Sequence, residues 1–358
     1  MAGLVGSGIV LFRNTELSAL GLETPAGLAA GGEVSMAQTS TYGPFNLKRF
    51  VRRLIERGPA HSLRSVIWRL HWERFQRLRT RRANGRECVP TAVRIFNQEF
   101  ELHPSLEGVS EELLLFGTHE PLATEHYLRL LSPGDHVLDV GSNIGYYLLM
   151  ASGVVGPSGR VLGFEPAPKV YDVLQRTIKH SGKENVQAFP WAIGATNGTA
   201  EFYESEVPNW GSLIHDSKLR PTQRITVPLR KLDEVVREFA GFHPSTLRMD
   251  LEGGELAALA GAQEVLEQYK PCLFVEFHPC IVGWEGTWNA LVRLRGLGYS
   301  QGVVIDRTWD HPWMSGWMRK RRCWQGSMDR LLQRIESPRD PLTHATFSVI
   351  LRAVNPHD

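Results

Sequence analysis

The chain has 358 residues, 42% of them hydrophobic, and a formal net charge of +2 from 40 Lys/Arg against 38 Asp/Glu. That is enough apolar material for one large core with appendages, so one catalytic domain is the natural expectation. No apolar run reaches the ~18 residues of a membrane-crossing helix, and the four cysteines, at 88, 272, 280 and 323, are too scattered for a zinc module or a disulfide framework, which suits a reducing cytosol.

Residues 1–35 are rich in Gly and Ala, lack a basic leader, and have their apolar stretch from Leu4 to Phe12 broken by glycines, which argues against a signal peptide. They read as disordered or as a mis-called start ahead of Met36. Residues 36–90 read as a basic helical arm. Within 46–86, thirteen Lys/Arg face only Glu56 and Glu73, a surplus of eleven positive charges. Leu47, Phe50, Val51, Leu54 and Ile55 fall at helical spacing between those charges. Gly58-Pro59 ends that helix, and Ser62 can cap a second one carrying Trp68 and Trp72. Such a pair can lie on an anionic membrane surface, at the inner face for a cytoplasmic protein, or hold an acidic substrate. The plainer account is a helical arm packed on the rest of the chain, and both stay open.

Residues 91–358 read as the catalytic domain. Residues 91–103 alternate enough for a hairpin, and Glu111–Leu115 and Pro121–Leu131 read as helices. Val137-Leu-Asp139-Val-Gly141-Ser-Asn143-Ile-Gly145 then reads as a buried strand, a tight loop and a helix start, the place where open α/β sheets bind nucleotide-like ligands. The spacing is not the G-x-G-x-x-G of dinucleotide sites, and Asp139 would repel a pyrophosphate. A carboxylate there suits a cationic, amino-acid-like cofactor, and S-adenosylmethionine fits that description. A second strand, Arg160–Phe164, ends at Glu165-Pro166, about 20 residues beyond the loop, where an acid can accept hydrogen bonds from two ribose hydroxyls. Further strands are expected at 186–190, 246–250 and 271–277, the last two ending in Asp250, Glu252, Glu276 and His278. The alternation of strands and helices implies a doubly wound sheet. Tyr299–Asp306 and Thr343–Val354 would close it as an antiparallel pair. The connection between them, 307–342, is longer than a hairpin needs. It carries Trp309, Trp313, Trp317, Trp324 and a run of basic residues, which suits either an acceptor-binding lid or a packed helical insertion.

Asp-Val-Gly-Ser-Asn-Ile-Gly-Tyr-Tyr, Gly-Phe-Glu-Pro, Val-Pro-Leu-Arg-Lys-Leu-Asp, Arg-Met-Asp-Leu-Glu-Gly and Lys-Pro-Cys-Leu-Phe-Val-Glu-Phe-His-Pro occur in an order that resembles the FkbM-family methyltransferases. The resemblance covers about residues 100 to 300. It implies a class I methyltransferase (Rossmann-like) fold, S-adenosylmethionine as cofactor, and O-methylation of a hydroxyl on a sugar, glycan or secondary metabolite. It places Asp139, Gly141, Asn143, Gly145 and Glu165 in the cofactor site. It also adds Glu120, because the family has an acid at that point. Two departures are mild: Arg248 stands where the family has Lys, and Ser142 where Ala is common.

Transfer to a hydroxyl releases a proton, so a base near the cleft helps. His278, which titrates near neutrality, is the first choice and Asp250 the second. Asp250, Glu252, Glu276 and His278 could alternatively hold a divalent ion, but no tight ligand spacing supports one, and no metal is expected. Nucleic acid is a poor substrate expectation, because no Asn-Pro-Pro-aromatic loop follows Met249. The rival class is a cofactor fold without catalysis, serving as a basic membrane- or polyanion-binding module.

Overall fold

The computed structural model describes residues 91–353 apart from 308–309, 313–318, 321–322, 337–340 and 344. The expectations for residues 1–35 and for the basic arm lie outside the described residues, as do Trp309, Trp313 and Trp317.

A hairpin, β1 (Ala92–Ile95) and β2 (Gln98–Glu101), leads into helices α1 (Val109–Phe116) and α2 (Pro121–Leu128). Alternation follows: β3 (His136–Val140), α3 (Tyr146–Val155), β4 (Arg160–Phe164), α4 (Pro168–Ser181) and β5 (Val186–Phe189). After an excursion come α5 (Leu232–Glu238), β9 (Pro244–Met249), α6 (Glu255–Ala260), α7 (Gln263–Gln268) and β10 (Cys272–Phe277). Helices α8 (Pro279–Val282) and α9 (Trp284–Gly296), then β11 (Tyr299–Asp306), β12 (Cys323–Ser327), α10 (Met328–Ile335) and β13 (Phe347–Ala353) complete the described chain.

The main sheet has the order β12-β11-β13-β10-β9-β3-β4-β5. Strands β10, β9, β3, β4 and β5 run parallel, whereas β13 is antiparallel to both β10 and β11. This is the doubly wound sheet with an antiparallel final pair that the sequence implies. The chain runs from β3 outward through β4 and β5, then returns to build β9 and β10 on the other side of β3. The order reverses between β3 and β9, and ligands bind at such a switch point.

Each strand splits its apolar residues between two cores by the two-residue repeat of the pleat. Val137, Val161, Phe274 and Ile350 join one core with α3 and the hairpin, while Leu138, Leu162, Leu273, Val275 and Val349 join the other. Asp139, Arg248 and Glu276 stand at the positions of the first set, so three charged side chains share the face that α3 covers.

Two elements go beyond the sequence expectation. A separate three-stranded sheet, β6 (Ala192–Ile193), β8 (Pro221–Arg230) and β7 (Gly198–Ser205), fills the excursion after β5. Within 307–342, β12 adds an outer antiparallel strand, with Trp324 opposite Val304, and α10 follows, capped by Ser327 Oγ accepting from the Arg330 N–H.

Candidate active site

A cleft opens outside the C-terminal ends of β3, β4, β9 and β10, the place where open α/β sheets bind ligands. Its first side is made largely of backbone. Gly141 has φ +83°, and a Cβ there would lie 1.9 Å from the Asp250 carbonyl oxygen, so this crossing of β3 and β9 admits only glycine. The N–H groups of Gly141 and Ser142 both donate to the Phe164 carbonyl at 3.0 Å, tying the loop to the end of β4. Ser142 is structural: its hydroxyl donates to the Asp139 carbonyl and accepts from the Phe164 N–H. Asn143 takes the left-handed conformation at φ 49°, and its side-chain oxygen accepts the Ile144 N–H.

Glu165 is held by two main-chain donors, Asn143 N–H to Oε2 and Ala167 N–H to Oε1, both at 3.0 Å. Burial pushes its carboxyl up to about 7 even though these two bonds favour the ionised form. Beside it, Phe164, Trp191, Ile193, Phe202 and Leu213 form an apolar wall. Trp191 stacks on Phe189 with centroids 4.5 Å apart and carries the Arg230 guanidinium on its ring. Trp191, Ile193, Phe202 and Leu213 come from the region of the small sheet, which the sequence reading did not anticipate.

The second side is made of charged side chains. Arg248 lies opposite Asp139 in the register of β9 and β3. Its Nη1 donates to Asp139 Oδ1 and to the Gly141 carbonyl, and its Nη2 donates to Asp250 Oδ2, each at 2.9 Å. Burial opposes the charge on Arg248, but Asp139 and Asp250 outweigh it and hold the guanidinium firmly protonated. The Tyr147 ring covers the guanidinium at 4.3 Å.

Glu120, at the left-handed N-cap of α2, accepts from the Tyr147 hydroxyl at 2.7 Å and from Arg307. Burial disfavours its charge, but Arg307 and then His119 hold the carboxyl well below the usual range. His119 bridges Glu120 and Glu112, at 2.6 Å on each ring nitrogen. Burial lowers the affinity of His119 for a proton, but these two carboxylates override it and raise the imidazole to about 10. Arg307 reaches across from the end of β11 to Glu276 Oε2 at 2.7 Å as well. Asp310, three residues on, accepts the N–H groups of Leu122 and Ala123 at 2.9 and 2.8 Å, capping α2 from 187 positions away.

His278 sits just behind the floor and does not line the cleft. Its Nδ1 bonds Glu255 Oε1 at 2.7 Å, and its Nε2 faces Glu252 Oε2 at 3.3 Å and Glu276 Oε1 at 3.6 Å. Burial disfavours the imidazolium, but Glu252 and Glu255 raise the ring well above its ordinary value. Burial also drives the Glu252 carboxyl up to about 8 and Glu276 to about 7.

The expected cofactor residues therefore divide. Glu120, Gly141, Asn143 and Glu165 line the cleft together, and so does Asp250. Asp139 is fully buried beneath it and already paired with Arg248. Gly145 starts α3 with φ +93° and packs toward Leu174, a structural position beside the cleft rather than in it. Arg248, Tyr147 and Arg307 were missed as site residues. An arginine inside an apolar strand was a readable signal for Arg248, because a buried charge needs a partner and Asp139 is the acid inside another. Arg307 carried no such signal.

Residues 139–300 match the family model described as the methyltransferase FkbM domain. Among curated relatives, methyltransferase sdnD of Sordaria araneosa is 26% identical, over 41% of this chain and 68% of that protein. Methyltransferase 1 of Beauveria bassiana is 23% identical, over 36% of this chain and 58% of its own length. The chain thus spans about three fifths to two thirds of these relatives. A crystal structure of methyltransferase FkbM from Methylobacillus flagellatus KT aligns with 52% of this chain and 46% of that one, at 17% identity and a TM-score of 0.33.

Proposed function

We propose that the chain, whose residues 139–300 match the family model described as the methyltransferase FkbM domain, methylates a hydroxyl on a sugar, glycan or secondary metabolite using S-adenosylmethionine. The observation that carries the proposal is the convergence of Gly141, Asn143, Glu165, Glu120 and Asp250 on one cleft at the switch point. The residues present fit the cofactor. The Gly141 loop brings main chain close, and Glu165, anchored by two backbone donors, keeps lone pairs for ribose hydroxyls. The apolar wall with Trp191 suits a flat base, and the carboxylates of the floor suit a cationic head. When bound, S-adenosylmethionine supplies a methyl group on a sulfonium, an electrophilic carbon with a good neutral leaving group.

The chain's own task is to orient an acceptor oxygen, exclude water and remove a proton. Asp250 lines the floor with one oxygen pinned by Arg248, so it is the base we assign. His278, enclosed by carboxylates, acts by positioning Glu252 and Glu276 rather than by taking the acceptor's proton. Intact Gly141, Asn143 and Glu165 in the cleft favour an enzyme over a non-catalytic binding module.

The test is transfer of labelled methyl to a panel of polyols, glycans, phenols, carboxylates and amines. An alkali-stable ether product is expected. Label appearing only in alkali-labile esters or on nitrogen would sink the hydroxyl assignment. For residues 46–86 we propose contact with an anionic surface or polyanionic acceptor through their eleven surplus positive charges. Full-length chain should co-sediment with anionic vesicles and release as salt rises, whereas a chain starting near residue 90 should bind cofactor without sedimenting. Unfolding of that shorter chain would make the arm structural. Among the described residues, no helix is long and apolar enough to cross a membrane.

A further inference from the structure

The floor of the cleft and the layer behind it hold more carboxyl groups than the arginines pair with. Asp250, Glu252, Glu255 and Glu276 converge on His278. Arg248 is committed to Asp250 and Arg307 to Glu276. Glu252 and Glu255 are left with His278 as the cation facing both. Asp250, Glu252 and His278 each offer a donor atom within 4.8 Å of the others, two oxygens and one nitrogen around one point.

The surroundings of Glu255 and His278 support a ligand for those donors. Glu255 is completely buried, and its Oε2 has no hydrogen-bond partner. A buried carboxylate oxygen without a partner is costly, and nearby positive charge relieves that cost. The other oxygen of Glu255 bonds His278 Nδ1, so Nε2 is the nitrogen turned toward Glu252. A carboxylate that fixes one imidazole nitrogen and presents the other is the usual support of a metal-bound histidine. In addition, Glu252 holds the left-handed conformation at φ 46°, an uncommon state for a glutamate, and Gly253 follows at φ +102°.

We infer that Asp250, Glu252 and His278 form a site for one divalent cation of the Mg²⁺/Mn²⁺ class, with Glu255 positioning the histidine; the cation displaces the Nε2 proton of His278 to solvent, and Asp250 serves as the base only where no cation is bound. The inference rests on the methyltransferase reading for its purpose: Asp250 and Glu252 line the cleft, so the cation's remaining positions face it and can hold oxygens of a hydroxylated acceptor. One imidazole with two carboxylates favours Mn²⁺ over Mg²⁺. Three ligands separated by 28 residues explain why no ligand spacing was readable in the sequence.

The test uses the full chain freed of metal by a chelator and titrated with Mn²⁺ alone, following the free-ion electron paramagnetic resonance signal. One tight site per chain is expected, with a ¹⁴N coupling from His278 in the pulsed spectrum. Glu252→Gln and His278→Asn should each weaken uptake at least tenfold. Glu255→Gln should weaken it less and lower the ¹⁴N coupling's uniformity. Because these variants could misfold, the wild-type spectrum decides: bound Mn²⁺ without nitrogen coupling, or no uptake at millimolar Mn²⁺, overturns the site. S-adenosylhomocysteine binding in excess chelator is measured in parallel. Homocysteine-nucleoside binding without Mn²⁺ uptake overturns the metal site and leaves the methyltransferase reading standing; Mn²⁺ uptake without nucleoside binding supports the site and breaks that reading.

Discussion

The two sides of the cleft are built on different principles. On the β3–β4 side, polar groups are satisfied by main chain within a short stretch: Glu165 by the N–H groups of Asn143 and Ala167, the loop by the Phe164 carbonyl. On the β9–β10–β11 side, side-chain charges satisfy one another across long separations, as Arg248 does with Asp139 109 positions away and Arg307 with Glu120 187 away. Local backbone geometry can hold one invariant ligand at little cost in net charge. A network of buried ions fixes positions too, but each member depends on its partners, and loss of one strands the rest.

The largest break should come at the seam. Arg248→Met leaves Asp139, which is wholly buried, and Asp250 without their cation, and should cost about 3–5 kcal/mol in urea unfolding. Arg248→Lys keeps the charge but not the fork and should cost clearly less. A loss below about 1 kcal/mol for the methionine variant would mean that the ions are not what holds this side together.

Gly141→Ala attacks the backbone side. The left-handed φ and the 1.9 Å approach to the Asp250 carbonyl together predict a cost of roughly 2–4 kcal/mol, with cofactor affinity lost in parallel. Normal calorimetric binding of S-adenosylhomocysteine by this variant would disprove the crossing as a constraint.

Glu165→Ala should weaken cofactor binding by about 1–3 kcal/mol while barely altering the charged side. Its pH dependence sharpens the contrast. Burial pushes this carboxyl up to about 7 from an ordinary 4.5, so the folded apo chain binds more protons than the unfolded one between those values. Stability contributed by that proton is therefore lost as pH rises from about 4.5 to about 7. Binding that needs the ionised carboxylate as acceptor should strengthen over the same window, by up to about tenfold per pH unit. Affinity flat from pH 5.5 to 8, or a slope that survives Glu165→Gln, would remove Glu165 from the ribose role.

The smallest effect is expected at the latch between the sides. Asp310→Ala removes the cap on Leu122 and Ala123 and should cost about 0.5–2 kcal/mol. Hydrogen exchange should rise in α2 first, and exchange unchanged there would show that the cap does not hold the helix.

The sequence by itself determined the sheet, the strand ends and most of the β3–β4 side of the cleft. Strands at 136–140, 160–164, 186–189, 244–249 and 272–277 follow from short apolar runs whose period and punctuation are local properties. Gly141, Asn143 and Glu165 were legible for the same reason: main-chain geometry within one βαβ unit dictates them. Tertiary structure decided the rest. Whether Asp139 meets a ligand or Arg248 depends on the register of two strands that are neighbours in space and 109 residues apart in sequence. Whether His278 stands open to the cleft or enclosed by carboxylates depends on Glu252, Glu255 and Glu276 arriving around it. Charge interactions carry no periodicity along the chain, so only the folded arrangement shows which acid finds which base.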